Sequence, residues 1–534
     1  MRRKLLAAVA CAAFALTLMP PAAHAQSGQA GANVFRFAND GDVNSMDPYA
    51  RNETFLLTFL GNIYEPLVRR DRELKVEPAL AVRWEQPDAT TWRFHLRQGV
   101  RFQDGTAFTA EDVAFSVVRA KAPGSNVSSK LATVTGTRVI DAHTIEFITS
   151  APNPILLEEI ADFFIMSKEW AEKNNATQSA DLTQRVENFA TRNANGTGPF
   201  VLAAREPDRR TVLRPNPTWW DKPEHNLTEV QFNVIANDGT RVAALLSGEV
   251  DMIYTVPPQD TQRLSSSPNI RILQKAELRT IYLGFDQLRD QLLKSDVTGK
   301  NPFKDLRVRR AFYQAIDTDA IRTRVMRGQA RTSGLMFGPG INGFSEDQDG
   351  RLPYDPEASR RLLAEAGYPN GFRVTMDCPN DRYVNDEAIC QAVTAMLARV
   401  GVRIDLNAQT RARYFAEILG PRYNTSFYLL GWTPATYDAH NAFFNLMATR
   451  GGARGQFNVG AWSNPRFDEL TTAIAIETDP AKRMAMIREA NRIHAEEVGH
   501  IPLHQQQVVW ATRGNVEVVQ LADNWFPLRY VRMR

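Results

Sequence analysis

The sequence predicts an α/β protein built from two or three separately packed lobes. Its 534 residues exceed the roughly 50–200 that one hydrophobic core usually holds. The order strand, helix, strand is predicted at 229–254 and again at 371–406, and this order is typical of sheets with helices packed on their faces. The usage of proline and glycine is close to average, so the composition does not indicate disorder.

The first 25 residues have the three parts of a secretory signal peptide. A basic patch from Arg2 to Lys4 precedes an uncharged apolar run from Leu5 to Met19, and Ala23-His24-Ala25 supplies small residues at the cleavage site. The apolar run is shorter than the roughly 20 residues that a membrane-spanning helix needs, which argues against an uncleaved anchor. We therefore expect cleavage after Ala25 and export to the periplasm.

The charge balance argues against a nucleic-acid partner. The chain has 63 basic and 60 acidic residues, and three of the basic residues belong to the predicted signal peptide. Proteins that bind nucleic acids usually concentrate a basic excess on one face. The mature sequence has neither such an excess nor a long block of like charges.

Alternating apolar residues predict strands in the first half of the chain. In residues 91–97, Trp92, Phe94 and Leu96 alternate with polar neighbours, which is typical of a half-buried strand and indicates core packing rather than ligand contact. Thr109 is predicted to cap the helix that follows. Similar patterns predict the strands 33–38, 144–149, 211–214, 229–236 and 250–254 and the helix 239–247, which ends at Gly248.

The second half contains a strand, a helix and a strand in direct succession. Residues 371–378 and 402–406 are the predicted strands, and 386–400 is the helix between them. Such a unit predicts a parallel strand pair joined by a right-handed crossover. Further elements are a helix that begins at Asp355-Pro356 and stops at Gly367, a long helix at 481–498 and a strand at 501–510.

Two cysteines remain after the signal peptide, Cys378 and Cys390. They fall at the end of a predicted strand and in the first turns of the next helix. Cysteine pairs in exported proteins tend to oxidise, whereas a metal site needs histidine or further cysteine nearby, and the sequence has none there. We expect a disulfide, with two free thiols as the alternative.

The sequence offers little support for catalysis or a metal centre. It lacks the nucleophile elbow, the Walker loop and the zinc-protease motif. His494, His500 and His504 are close in sequence, but their spacings do not share one helix face, so we expect structural roles, no metal and no cofactor. The loop at 219–221 (WWD) could stack on a carbohydrate, which leaves a periplasmic hydrolase as the weakest alternative.

Several segments, spread over the chain, match one known family in order and spacing. The longest runs from Trp92 to Val113 and reads WRFHLRQGVRF, then DG and FTAEDV. The shorter ones are NIYEPLV at 62–68, PALA at 78–81 with Trp84, GTGPF at 196–200, PF at 302–303 with DLRVRRA at 305–311, and YDP at 354–356 with LAEAGYP at 363–369. Together they resemble family 5 extracellular solute-binding proteins, the dipeptide, oligopeptide and nickel binding components of ABC importers.

The resemblance implies a two-lobed α/β fold of the periplasmic binding protein type, with an extra subdomain in lobe 1 and two hinge crossings near 274–284 and 498–506. A monomer would close around a small solute and deliver it to an inner-membrane permease with its ATPase subunits. The implied segments are a signal peptide at 1–25, lobe 1 at 26–275 with its subdomain at about 50–200, lobe 2 at 276–500, and a return to lobe 1 at 501–534.

The resemblance also bears on the class of ligand. Peptide-binding relatives place an aspartate against the α-amino group of the ligand within the segment that matches 431–438, and the aligned position here is Ala435. Asp438 is either a structural aspartate or a replacement for that carboxylate. We expect a peptide or peptide-like solute, with an opine, a sugar or a nickel chelate as the alternatives.

Three further residues are candidate ligand contacts. Arg382 follows a predicted strand, at about the position where relatives bind a carboxylate, and ligands of α/β lobes bind beyond the carboxyl ends of strands. A guanidinium can hold a carboxylate with two parallel hydrogen bonds; the alternative is a surface arginine paired with Asp381 or Asp386. Trp432 and Tyr437 either stack on the ligand or belong to the core of the lobe.

Overall fold

The computed structural model describes residues 33–534 except 182–185, 255, 381, 420–421 and 453. The predicted signal peptide, residues 1–25, lies outside the described residues. Among the described residues, no helix combines the length and the apolarity needed to cross a bilayer.

The strands are β1 Val34–Asn39, β2 Val68–Arg70, β3 Val76–Pro78, β4 Ala81–Asp88, β5 Thr91–Leu96, β6 Val134–Asp141, β7 Thr144–Thr149, β8 Phe200–Glu206, β9 Arg210–Pro215, β10 Glu229–Val234, β11 Met252–Ile253, β12 Ile270–Phe285, β13 Ala330–Thr332, β14 Arg373–Pro379, β15 Arg403–Gln409, β16 Phe427–Trp432, β17 His500–Arg513, β18 Val516–Glu517 and β19 Arg532–Met533.

The α-helices are α1 Thr54–Leu60, α2 Ala110–Lys121, α3 Leu156–Ile160, α4 Lys168–Lys173, α5 Asp238–Ser247, α6 Thr261–Ser265, α7 Leu306–Ala315, α8 Thr318–Ala320, α9 Pro356–Glu365, α10 Asp386–Ala398, α11 Arg411–Ile418, α12 Ala439–Ala442, α13 Pro465–Ile476 and α14 Pro480–Glu497.

Two long antiparallel strands, β12 and β17, connect the two lobes. They lie in the middle of the main sheet, whose order is β15-β14-β16-β12-β17-β11-β1-β10-β9-β8. Leu273, near the start of β12, packs on the lobe 1 core, whereas Ile281 and Leu283, near its end, belong to a lobe 2 core. This arrangement confirms the predicted two-lobed α/β fold.

A separate antiparallel sheet of β4, β5, β7 and β6 forms part of lobe 1. The side chains of Trp92, Phe94 and Leu96 on β5 are buried, and the rings of Phe94 and Phe147 lie 5.2 Å apart. The segment with the most specific family resemblance is therefore core packing, as its alternation predicted. The backbone N–H of Thr109 donates to the carboxylate of Asp112 and closes the first turn of α2.

The strand, helix and strand predicted in the second half are β14, α10 and β15. The two strands are parallel, with Met376 opposite Leu406. Cys378 and Cys390 form the expected disulfide, with their Cα atoms 6.6 Å apart. The loop from β14 to α10 therefore lies at the carboxyl edge of the sheet, and this loop contains Arg382.

Candidate functional site

A cleft lies between the two lobes. Thr54 and Leu57 line it from lobe 1, and Trp525 lines it from the C-terminal segment that packs on lobe 1. Loops and strand ends of lobe 2 form the opposite wall. Of the four predicted ligand contacts, Arg382, Trp432 and Tyr437 line this cleft, and Asp438 does not.

Two arginines flank one tyrosine at what we call the guanidinium end of the cleft, formed by Arg279, Arg382 and Tyr383. The Cζ atoms of Arg279 and Arg382 lie 6.0 and 5.1 Å from the centroid of the Tyr383 ring. Arg279 Nε donates to the hydroxyl of Thr433 at 3.1 Å, and its guanidinium lies 3.4 Å from the carboxylate of Glu277. Two cationic groups thus face the same part of the cleft.

The loop that carries Arg382 is fixed at its backbone. The N–H groups of Arg382 and Tyr383 both donate to one carboxylate oxygen of Asp386, each at 2.9 Å. Asp386 is the first residue of α10, where a carboxylate is favoured by the helix dipole. Asp381, the other predicted partner of Arg382, lies outside the described residues.

Trp432 serves both the cleft and the core of lobe 2. Its ring packs 5.0 Å from that of Phe457, and its indole N–H donates to Asn441 at 3.1 Å. The same side chain lines the cleft next to Ala435, which is exposed. An aromatic surface with a fixed orientation is therefore available to a ligand.

The carboxylates that line the cleft already have partners. Asp162 forms an ion pair with Lys130. Asp523 accepts hydrogen bonds from the hydroxyl of Tyr437 at 2.8 Å and from the backbone N–H of Trp525 at 2.9 Å. Burial raises the pKa of Asp523.

Asp438, the other candidate for the carboxylate that Ala435 lacks, lies outside the cleft lining. Asp438 is fully buried behind the cleft wall, and both of its oxygens accept from the guanidinium of Arg483, at 2.7 and 2.8 Å. It also accepts from the side chain of Asn342 and from the backbone N–H of His440, both at 2.8 Å. Its partners are inside lobe 2, so Asp438 has the structural role.

Tyr437 lines the cleft and also packs against a core cluster of lobe 2. Its side chain crosses to lobe 1, where its hydroxyl bonds to Asp523 and its ring lies 3.6 Å below the guanidinium carbon of Arg70. This contact could not be predicted from local sequence, because Asp523 lies 86 residues after Tyr437 and Arg70 lies far before it.

The structure gives the remaining candidates structural roles. The indole N–H groups of Trp219 and Trp220 donate to buried Glu65, at 3.1 and 2.7 Å, which removes the basis for a carbohydrate site there. His494 and His500 share a hydrogen bond of 3.0 Å in the core. In the part of the chain that the structure describes, no three histidine, cysteine or acidic side chains are placed to hold a metal.

Sequence reasoning missed Arg279 and Tyr383. Arg279 lies within the predicted crossing at 274–284. A charged side chain on a strand that connects two hydrophobic cores was the signal that could have identified it. Tyr383 directly follows Arg382, but nothing in the local pattern distinguishes a cleft tyrosine from a core tyrosine.

Comparisons with known proteins agree with this geometry. The family model of bacterial extracellular solute-binding proteins, family 5 Middle, matches residues 75–454. The glutathione-binding protein GsiB of Salmonella typhimurium is 25% identical over 481 residues, which are 89% of each chain. The periplasmic binding protein DppA of Helicobacter pylori, solved with the peptide STSA, is 25% identical with a TM-score of 0.76, and the match covers 94% of this chain and 98% of DppA.

A third relative shows the same fold. The binding protein AgaA of A. tumefaciens R10, solved with agropinic acid, is 23% identical with a TM-score of 0.75, over 94% of this chain and 99% of AgaA. These relatives are solute-binding proteins and not enzymes. With most of its length matched by the family model, the chain belongs to the bacterial extracellular solute-binding proteins of family 5.

Proposed function

We propose that this protein, the substrate-binding component of an ABC importer, captures a small peptide-like solute that carries carboxylates. The observation that supports this proposal is the pair of guanidinium groups, Arg279 and Arg382, around Tyr383 in the cleft between the lobes. Each guanidinium can hold a carboxylate with two hydrogen bonds in one plane.

The lack, among the described residues, of an unengaged carboxylate near Ala435 argues against recognition of a free α-amino group in the usual place. Ala435 has no carboxylate, and Asp162 and Asp523 are engaged by Lys130 and Tyr437. A ligand whose amino group is modified, or lies away from the peptide chain, fits this cleft better than an ordinary dipeptide. Trp432 and Phe457 offer apolar surface for the rest of the ligand.

The named relatives suggest the first probe. GsiB is called a glutathione-binding protein, and glutathione is a tripeptide with two carboxylates and a γ-linked first residue. Two carboxylates match two guanidiniums in number. An opine, as in AgaA, also carries carboxylates and remains the main alternative.

We further propose that the lobes close by bending at β12 and β17. The pairing of these strands shifts register between Ala276 and Thr280, inside the crossing predicted near 274–284, and such irregularities weaken and bend a ladder locally. On this basis lobe 1 comprises 26–275 with its subdomain at about 50–200, lobe 2 comprises 276–500, and 501–534 return to lobe 1. The second crossing is at 498–506.

The cellular setting completes the proposal. Cleavage after Ala25 releases a periplasmic monomer that docks on an inner-membrane permease served by ATPase subunits. The protein releases the ligand chemically unaltered. N-terminal sequencing of the exported protein tests the cleavage site.

Calorimetric titration of the purified mature protein tests the ligand class. The probes are glutathione, the dipeptide Met-Leu, agropinic acid and the nickel complex Ni(L-His)₂. We expect glutathione to bind more tightly than Met-Leu and to be recovered intact by mass spectrometry. Binding of only agropinic acid or the nickel complex would replace the peptide-like class, and conversion of the bound probe would refute the transport role.

A further inference from the structure

Tyr437 stands between two cavities at the interface of the lobes. On one side is the ligand cleft, and on the other is an open groove. We call this second cavity the rear groove; it is lined by Arg70, Leu74 and Glu158 of lobe 1 and by residues 339–342 and Phe344 of lobe 2. Among the described residues, Tyr437 alone lines both cavities, and its ring stacks on Arg70, which also lines the rear groove.

The lobe 1 side of this barrier is held in place. The guanidinium of Arg70 donates to the backbone carbonyls of Leu74 and Glu158, both at 3.1 Å, and presents its flat face to the Tyr437 ring. The carboxylate of Asp523 is oriented by the backbone N–H of Trp525. The two partners of Tyr437 are therefore already positioned when the lobes meet.

The lobe 2 side is held just as firmly. Tyr437 has a left-handed backbone with φ of 56°, a conformation that is strained for a bulky residue and persists only where its surroundings impose it. The backbone N–H of Asn342 donates to the carbonyl of Tyr437 at 2.7 Å. The next residue, Asp438, is fixed by its buried ion pair with Arg483. This backbone directs the tyrosine ring out of lobe 2 and across the gap.

We propose that Tyr437 is a partition that sets the length of the ligand. It ends the cleft at the closed interface and so selects short peptide-like solutes over extended peptides, whose distal residues would need the rear groove. This inference rests on the proposed peptide-like class of ligand. Removal of the ring joins the cleft to the rear groove and admits longer chains.

The partition differs from a simple latch between the lobes. A latch depends on the hydrogen bond to Asp523, which Tyr437→Phe removes, whereas a partition depends on the volume of the ring, which Tyr437→Phe keeps. Tyr437→Ala removes both the hydrogen bond and the ring volume. Tyr437→Gly also removes both and suits the left-handed backbone, so it serves if the alanine variant fails to fold.

The test measures retention of random peptide pools of fixed length by native mass spectrometry. The pools are tripeptides, pentapeptides and heptapeptides, and Tyr354→Ala, an exposed tyrosine outside the cleft lining, is the matched control. We expect the wild type, the control and Tyr437→Phe to retain tripeptides at least about tenfold better than heptapeptides. Tyr437→Ala or Tyr437→Gly is expected to retain all three pools.

Two results contradict the partition alone. The first is a wild type that holds heptapeptides as well as tripeptides. The second is a folded alanine or glycine variant that keeps tripeptides and gains no longer peptide. A wild type that binds no tripeptide contradicts the proposed ligand class, and the partition falls with it.

Discussion

The two ends of the cleft are built in opposite ways. At the guanidinium end, Arg279 and Arg382 surround Tyr383 and present cationic groups to the cavity. At the other end, Tyr437 meets Arg70 and Asp523 across the lobe interface, and these groups satisfy one another. The difference teaches that one end is suited to recognise a charged group, whereas the other is suited to stop the ligand.

The contrast has a physical basis in what each end does when a ligand enters. A guanidinium that is already oriented, as Arg279 is by Thr433 and Glu277, adds a ligand carboxylate without much further loss of side-chain entropy. At the Tyr437 end, a ligand would have to break a cation–π contact and a buried hydrogen bond before it gained any partner.

Loss of the ion pair behind Tyr437 is expected to have the largest effect. Arg483→Met leaves the buried carboxylate of Asp438 without its counter-charge, so we expect a loss of about 3–5 kcal/mol in the free energy of unfolding. Urea denaturation measures it. Arg488 lies on the same helix as Arg483 and forms an exposed ion pair with Asp347. Arg488→Met is therefore the control and should change stability far less. Equal effects of the two substitutions would show that Asp438 does not anchor this end.

Removal of either arginine at the guanidinium end is expected to weaken ligand binding, and Arg279→Ala also removes the ion pair of buried Glu277. Arg382→Ala and Arg279→Ala each remove a charged hydrogen-bond donor to a carboxylate of the ligand. We therefore expect the affinity for glutathione to fall about 10- to 100-fold in each variant. Titration calorimetry measures this change. Arg403→Ala on β15, whose side chain is exposed and outside the cleft lining, is the control. Unchanged affinity in Arg382→Ala would remove Arg382 from the ligand site.

Acid is expected to destabilise β17, one of the two strands that connect the lobes. Burial, aided by Arg351, lowers the pKa of His504 on β17 to about 4. Because the unfolded chain takes up a proton near pH 6.5 that native His504 does not accept, stability falls as the pH drops from about 6.5 towards 4. His504→Leu should recover up to about 2 kcal/mol of this loss at pH 5, as measured by urea denaturation at neutral and acid pH. If His504→Leu lost as much stability in acid as the wild type, His504 would not be a source of the acid dependence.

Much of the fold was predictable because its signals are local. The alternation around Phe94, the positive φ required at Gly248, and the cysteines placed by the unit of β14, α10 and β15 all depend on residues close in sequence. The ligand cleft was only partly predictable. Arg382 and Trp432 were found through family resemblance, whereas Arg279 and Tyr383 were missed because their importance depends on which surfaces face each other.

The sequence by itself determined the family and predicted many of the strands and helices and the disulfide, because periodicity, turn residues and motif order are written in short segments. Tertiary structure alone decided that Asp438 pairs with Arg483 and that Tyr437 crosses to Arg70 and Asp523. Tyr437 and Asp438 are adjacent in one loop, yet Tyr437 contacts the other lobe and Asp438 is buried within its own. The reason is that burial and partnership of a side chain are set by segments that meet only after both lobes have folded.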